Sequence, residues 1–205
     1  MSEPKTVASS VEEVVPGIWR WSIHDERTDF VGAAYAVKTN DRVVMIDPLP
    51  LEPAALAELG GLEAIVLTCG SHQRSAWRYR RELGAPVYAP ALSKEIAEEP
   101  DERYSDGDTL PGDLHAVFTP GVGTTQHTLL IDRDLAIAFV ADTLLQYPDG
   151  RVGMVSERFI YDLDEAKRTL GKLLELDFDV LCLTHGGVLE EDPKAAVRAV
   201  LDEYA

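Results

Sequence analysis

The chain is short of cysteine and of positive charge: it has two cysteines in 205 residues, and 19 lysines and arginines against 36 aspartates and glutamates. Cys69 and Cys182 are too few for a disulfide framework, although their spacing leaves a single bridge open. The formal charge of −17 sets up a field that repels phosphate backbones and anionic headgroups, which argues against nucleic acid or a membrane surface as the main partner. Long apolar runs are missing too. The longest, residues 135–141, is far too short to cross a bilayer, and the polar residues 1–10 lack an apolar signal core. These absences predict a cytoplasmic protein in which residues 1–10 are a disordered polar lead-in to a single domain over 11–205. The hydrophobic content of 45%, spread without low-complexity tracts, is enough for one sizeable core.

Residues 11–23, 31–37 and 42–46 are rich in β-branched and aromatic side chains and are punctuated by Pro16-Gly17 and Thr39-Asn40-Asp41, so they read as an antiparallel meander. After Asp47 the pattern alternates. A helix is predicted over 53–59, stopped by Gly60-Gly61, then a buried strand over 64–68 and a helix over 73–83 ending at Gly84. A strand at 86–88 and a helix around 93–98 continue the alternation. Strands return at 115–118, 127–131 and 135–140, and a helix at about 164–176, a strand at 180–183 and a helix at 193–203 close the chain. The order predicts two half-units, each a sheet covered by helices.

Several short motifs occur in a fixed order. They are Val14-Val15-Pro16-Gly17-Ile18-Trp19, Val43-Val44-Met45-Ile46-Asp47, Leu67-Thr68, Asp106-Gly107-Asp108, Thr119-Pro120-Gly121, Phe139-Val140-Ala141-Asp142-Thr143-Leu144 and Thr184-His185-Gly186. In that order and spacing the chain resembles the metallo-β-lactamase fold superfamily over nearly its whole length. The resemblance implies an α/β fold, the four-layer αββα sandwich, and the company of lactamases, glyoxalase II thioesterases, lactonases and nucleases. It also implies a place for two metal ions, held in that family by an HxHxDH loop, the histidine of a TPGH segment, a bridging aspartate and a final histidine.

Here the loop reads Cys69-Gly70-Ser71-His72-Gln73-Arg74. On the family's pattern Cys69 and Ser71 replace two histidines, Gln73 the aspartate, Arg74 the last histidine of the loop, and Val122 the histidine of the TPGH segment. Asp142 and His185 alone keep the family's residues. A catalytic zinc needs about three protein ligands and an open position, while valine offers no donor and a protonated guanidinium competes with a cation for its place. The resemblance therefore implies a metal-free protein that has lost the usual metallohydrolase activity and serves as a binding or structural module for a small molecule or a protein. The alternative is a hydrolase of ester, thioester or lactam-like bonds with a remodelled site. That site is either mononuclear, with one zinc or iron ion on Cys69, Asp142 and His185, or based on Cys69 as nucleophile.

The other candidates have plainer readings. Asp47 is expected to support the metal loop from behind, Ser71 to cap the following helix, and His72, on a spacer position, to face solvent or cap that helix. Cys182, His24, His115 and His127 are read as structural. Arg74, Arg78 and Arg81 recur at helical spacing with Arg80 beside them, giving either a solvated face paired with acids such as Glu82 or a local lure for an anionic ligand. Arg74 is also placed to pair with Asp142, with the helix surface beside Arg78 and Arg81 as its other destination.

Overall fold

The computed structural model describes residues 3–26, 28–94 and 96–204. Backbone contacts divide it into two compact units, one running to Tyr104 and taking in Leu110–Gly112, the other comprising Ser105–Thr109 and the chain from Asp113 on. In the first unit the meander is β1 (Glu12–Val15), β2 (Ile18–Asp25), β3 (Phe30–Lys38) and β4 (Arg42–Ile46), all antiparallel. Helix α1 (Pro53–Glu58), which has Pro53 in its first turn, then leads to β5 (Gly61–Val66), and α2 (Ala76–Leu83) leads to β6 (Val87–Pro90) and β7 (Glu102–Tyr104). From β4 onward the strands pair in parallel, and the sheet runs in chain order from β1 to β7.

This sheet buries long apolar runs: Trp21, Ala34, Ala36, Met45, Ile65 and Leu67 pack with Trp77 and Tyr79 of α2 in one cluster. The tyrosine and the tryptophan of β2 keep their polar ends satisfied. The Tyr79 hydroxyl accepts from Leu51 N at 2.8 Å and donates to Leu49 O at 3.1 Å, and Trp21 Nε1 donates to the same carbonyl at 2.9 Å. Gly84 ends α2 in the left-handed conformation, as expected from the sequence.

The second sheet contains β8 (Thr109–Leu110), β9 (Leu114–Phe118), β10 (His127–Ile131) and β11 (Ile137–Val140). A two-residue-strand hairpin, β12 (Leu145–Gln146) with β13 (Val152–Gly153), follows, then α3 (Leu163–Glu175), β14 (Val180–Leu183), β15 (Val188–Leu189) and α4 (Pro193–Glu203). The strand order is β15-β14-β11-β10-β9-β8, with β11 and β14 parallel. Asp162 and Asp192 cap the two helices by accepting from Glu165 N at 2.9 Å and Ala195 N at 3.1 Å. Val140, Leu144, Leu170, Leu173, Leu181, Leu183, Val197 and Val200 form the core.

Three expectations need correction. Residues 3–10 are not a disordered lead-in: Ala8 is buried in a parallel bridge to Leu51, and Glu3 accepts from Arg78 Nε at 2.8 Å, while residues 1–2 lie outside the described residues. No helix forms over the described part of 93–98, which leaves out Glu95. There Ala97 N donates to Gln73 Oε1 at 2.6 Å and Ser93 O accepts from Arg103 Nη1 at 3.1 Å, so side chains take backbone groups that a helix would pair. The bridge left open between the cysteines is absent: Cys69 and Cys182 form no disulfide. Among the described residues no helix is long and apolar enough to cross a membrane.

His127, on β10, faces inward, with its ring 5.2 Å from that of Phe118 and its Nδ1 3.1 Å from Thr125 O. Burial, outweighing the bond to the Thr125 carbonyl, holds its pKa below the ordinary 6.5. The unfolded chain therefore binds this proton more readily than the folded one. The corresponding stability is present above about pH 6.5 and is lost as pH falls through and below that value. His127→Gln is expected to flatten this part of the stability–pH curve, measured by urea denaturation at successive pH values.

Candidate functional site

β4 ends at Ile46, and the next residue, Asp47, is fully buried with a left-handed backbone at φ 48°. A non-glycine residue held there stores roughly 1–3 kcal/mol of strain and persists only where its surroundings over-determine it. They do so here. Oδ1 accepts from Thr68 N at 2.8 Å, and Oδ2 accepts from Thr68 Oγ1 at 2.5 Å and lies 2.8 Å from His72 Nδ1. The Asp47 carbonyl accepts from Arg74 Nη1 at 3.0 Å, and the same nitrogen donates to Ala33 O at 2.6 Å. Arg74 is itself strained at φ 38°. Tyr104 donates to Leu67 O at 2.6 Å, and burial, then the nearby Asp47 and Cys69, raise its pKa well above the ordinary value, so it stays a neutral donor.

The turn that these contacts hold, residues 69–75, differs from the sequence-based expectation at three places. Helix α2 starts at Ala76, not at Gln73, because the left-handed Arg74 breaks the helical path and Ser75 N bonds back to Pro48 O at 2.9 Å. Ser71 is consequently no cap: the N-cap residue is Ser75, and Ser71 is exposed with its Oγ 3.0 Å from Cys69 Sγ. His72 does not face solvent but is 5% exposed and turned to Asp47. Cys69 is buried as well, and its Sγ lies within 4.8 Å of a His72 ring nitrogen.

Gln73 is held inside the turn, its amide donating to Gly70 O at 2.7 Å and its oxygen accepting from Trp77 Nε1 at 2.9 Å. Arg74 is buried, so it does not join Arg78 and Arg81 on the helix surface. Those two and Arg80 are answered by acids, Arg78 by Glu3 and Glu82, Arg80 by Asp101 and Arg81 by Glu98. The stripe reads as a solvated, paired face.

In the second unit, Asp142 follows β11 and His185 follows β14, two parallel neighbours whose ends bring these residues together. His185 Nε2 lies 3.0 Å from Asp142 Oδ1, and Asp142 Oδ2 accepts from Gln126 Nε2 at 2.9 Å. Gln126 is buried, and its oxygen accepts from Thr143 Oγ1 at 3.4 Å. Sequence reasoning missed Gln126, because no pattern around it marks it as a carboxylate partner. Val122 is buried in the apolar core of this unit with Leu170 and Val140.

A family model described as the metallo-β-lactamase superfamily matches residues 11–186. The chain belongs to the metallo-β-lactamase superfamily. Solved structures agree on the fold at low identity. A superfamily protein from the archaeon Sulfolobus tokodaii is 16% identical, with 90% of this chain and 85% of that one covered at a TM-score of 0.68. A metallo-β-lactamase from Pontibacter korlensis is 14% identical, with coverages of 94% and 98% and a TM-score of 0.73. A flavoprotein from Thermotoga maritima is 17% identical, with coverages of 96% and 61% and a TM-score of 0.72. No curated protein matches the chain in sequence. The α/β fold expected from the motif order is thus the fold of these relatives.

The superfamily's ligand places are filled by Cys69, Ser71, Gln73, Arg74, Val122, Asp142 and His185, each in the setting described above. The first unit's loop is organised by Asp47 and the donors around it. Asp47→Ala leaves the buried Thr68 N–H and hydroxyl without their acceptor, and is expected to lower stability by at least about 3 kcal/mol, whereas Asp47→Asn, which keeps one carbonyl oxygen, costs less. Urea denaturation with an unchanged slope is the measurement.

Proposed function

We propose that this superfamily member works without the dinuclear metal centre, lacks the metallohydrolase activity of its relatives, and serves as a binding or structural module for a small molecule or a protein. The observation that carries this reading is the pairing of Asp142 with His185, in which the two residues that keep the family's identity engage each other at 3.0 Å while Gln126 takes the second carboxylate oxygen. The replacements at the other places support it. Val122 has no donor atom, the Gln73 amide is engaged within its own turn, and Arg74 brings a permanent positive charge where the family has a histidine. Without a metal-bound hydroxide or a Lewis acid, the superfamily's hydrolytic chemistry has neither its nucleophile nor its electrophilic help.

Protein purified without chelator is expected to contain no stoichiometric zinc or iron, and its thermal unfolding midpoint to be the same with and without EDTA. With added zinc, manganese or iron it is expected to show no chelator-sensitive turnover of lactams, lactones or phosphodiesters. A midpoint that falls by many degrees on chelation, or metal-dependent turnover lost in Asp142→Ala, would restore the competing reading of a single ion on Cys69, Asp142 and His185.

A further inference from the structure

β2 outruns its neighbour β1, and beyond the end of β1 it has an open edge. Lys38 N donates to Gly17 O at 2.8 Å, and from that bonded pair the register with β3 runs unbroken from Ile18↔Val37 to Asp25↔Phe30. Antiparallel pairs alternate between bonded and non-bonded, so Trp19, Trp21 and Ile23 turn their backbone groups to β3, while Ile18, Arg20, Ser22 and His24 turn theirs the other way. β1 meets Ile18 with Val15 and Arg20 with Glu12, and its pairing stops there. The N–H and C=O groups of Ser22 and His24 have no partner among the described residues. A second open edge lies in residues 6–10. Ala8 N donates to Pro50 O and its carbonyl accepts from Glu52 N, both at 2.9 Å. Alternation turns the backbone groups of Val7 and Ser9 away from residues 50–52, and nothing among the described residues bonds them. Val7, Ser9, Ser22 and His24 all line one groove of about 380 Å³. With a rise of about 3.3 Å, a strand spacing of about 4.8 Å and a sheet spacing of about 10 Å, a residue within a sheet fills roughly 160 Å³. The groove thus has room for about two to three residues of extended chain, the length that Ser22 to His24 can pair.

We propose that this groove takes an extended peptide segment of another protein by strand addition to β2. Its first and third residues pair with Ser22 and His24, and its middle residue turns its N–H and C=O toward Val7 and Ser9. A simple anion answers only the donors of the two walls, whereas an extended backbone brings one donor and one acceptor with every residue. The side chains follow from the face of β2 that each residue joins. The middle residue stands opposite Ile23, which is 4% exposed, and a β-branched apolar side chain suits that place. The outer two stand opposite Ser22 and His24, on the face where Glu12 and Arg20 are register partners, so uncharged polar side chains suit them. The formal charge of −17 favours lysine or arginine in the flanks. The inference rests on the binding-module reading for the existence of a partner, and the groove includes none of the superfamily's ligand places.

The test titrates the peptide acetyl-Lys-Lys-Thr-Val-Thr-Lys-Lys-amide into the full chain and follows backbone amides by NMR and their hydrogen exchange. Half-saturation is expected below about 1 mM, and the Ser22 and His24 amides, which exchange freely without peptide, are expected to become protected. N-methylation of both threonines removes the donors to β2, and N-methylation of the valine removes the donor to the opposite wall. Each is expected to weaken binding at least about 10-fold. Ser22→Pro removes an N–H that β3 does not use, at an edge position where proline is tolerated, and is expected to weaken binding by a similar factor. Should that variant fail to fold, the N-methylated peptides make the same comparison on the unaltered chain. No binding at 1 mM, binding indifferent to N-methylation, or saturation that leaves Ser22 and His24 unprotected overturns this inference. Sedimentation of the chain alone covers the other occupant: self-association that Ser22→Pro abolishes gives the groove to a second copy and overturns the inference as well. Each of these failures leaves the metal-independent reading standing, since metal content and turnover decide that reading.

Discussion

The buried carboxylate of Asp47 accepts from the backbone and hydroxyl of Thr68 and faces His72 Nδ1, and the turn between β5 and α2 hangs on those bonds. Removing a carboxylate from water costs several kcal/mol, which only a full set of partners offsets. Bonds to a charged acceptor contribute roughly 1.5–3 kcal/mol each, so the set at Asp47 is of the size that the burial and the left-handed backbone demand. The Asp47 carbonyl extends the same junction to Arg74, whose guanidinium reaches on to Ala33 in β3. These hydrogen bonds join strand end, turn and helix start.

That construction bears on what the superfamily's fold is used for here. The loop that holds four of the superfamily's ligand places is tied from behind by a carboxylate, a threonine, an imidazole and a guanidinium. In the second unit the same economy of partners holds at Asp142, which His185 and Gln126 satisfy. Function lives in such sites and not in the fold that carries them. Relatives at 14–17% identity share the architecture.

Much of the architecture was legible because burial imposes a period. The meander, the strand over 180–183 and the two C-terminal helices follow from apolar alternation, from Pro53 and Pro193 in first turns, and from Gly84 at a helix end. What was not legible depends on tertiary partners. Gln73 looks like the first residue of a helix, yet its side chain is held by Gly70, Trp77 and Ala97, and the left-handed Arg74 delays the helix to Ala76. His72 falls on a spacer position of the family motif, and only the buried carboxylate 25 residues earlier in the chain turns it inward. Gln126 carries no sequence mark at all, since a glutamine becomes a carboxylate partner only through the strand ends around it.

We propose that protein groups around Asp47, and not a metal, hold the turn at residues 69–75. Hydrogen–deuterium exchange of the amides from Thr68 to Ala76 tests it most directly, because local opening of that turn is read residue by residue. Protection is expected to be the same with and without chelator and to fall sharply in Asp47→Asn. Protection that collapses on chelation and is untouched by Asp47→Asn would mean that a bound metal, and not Asp47, holds the turn.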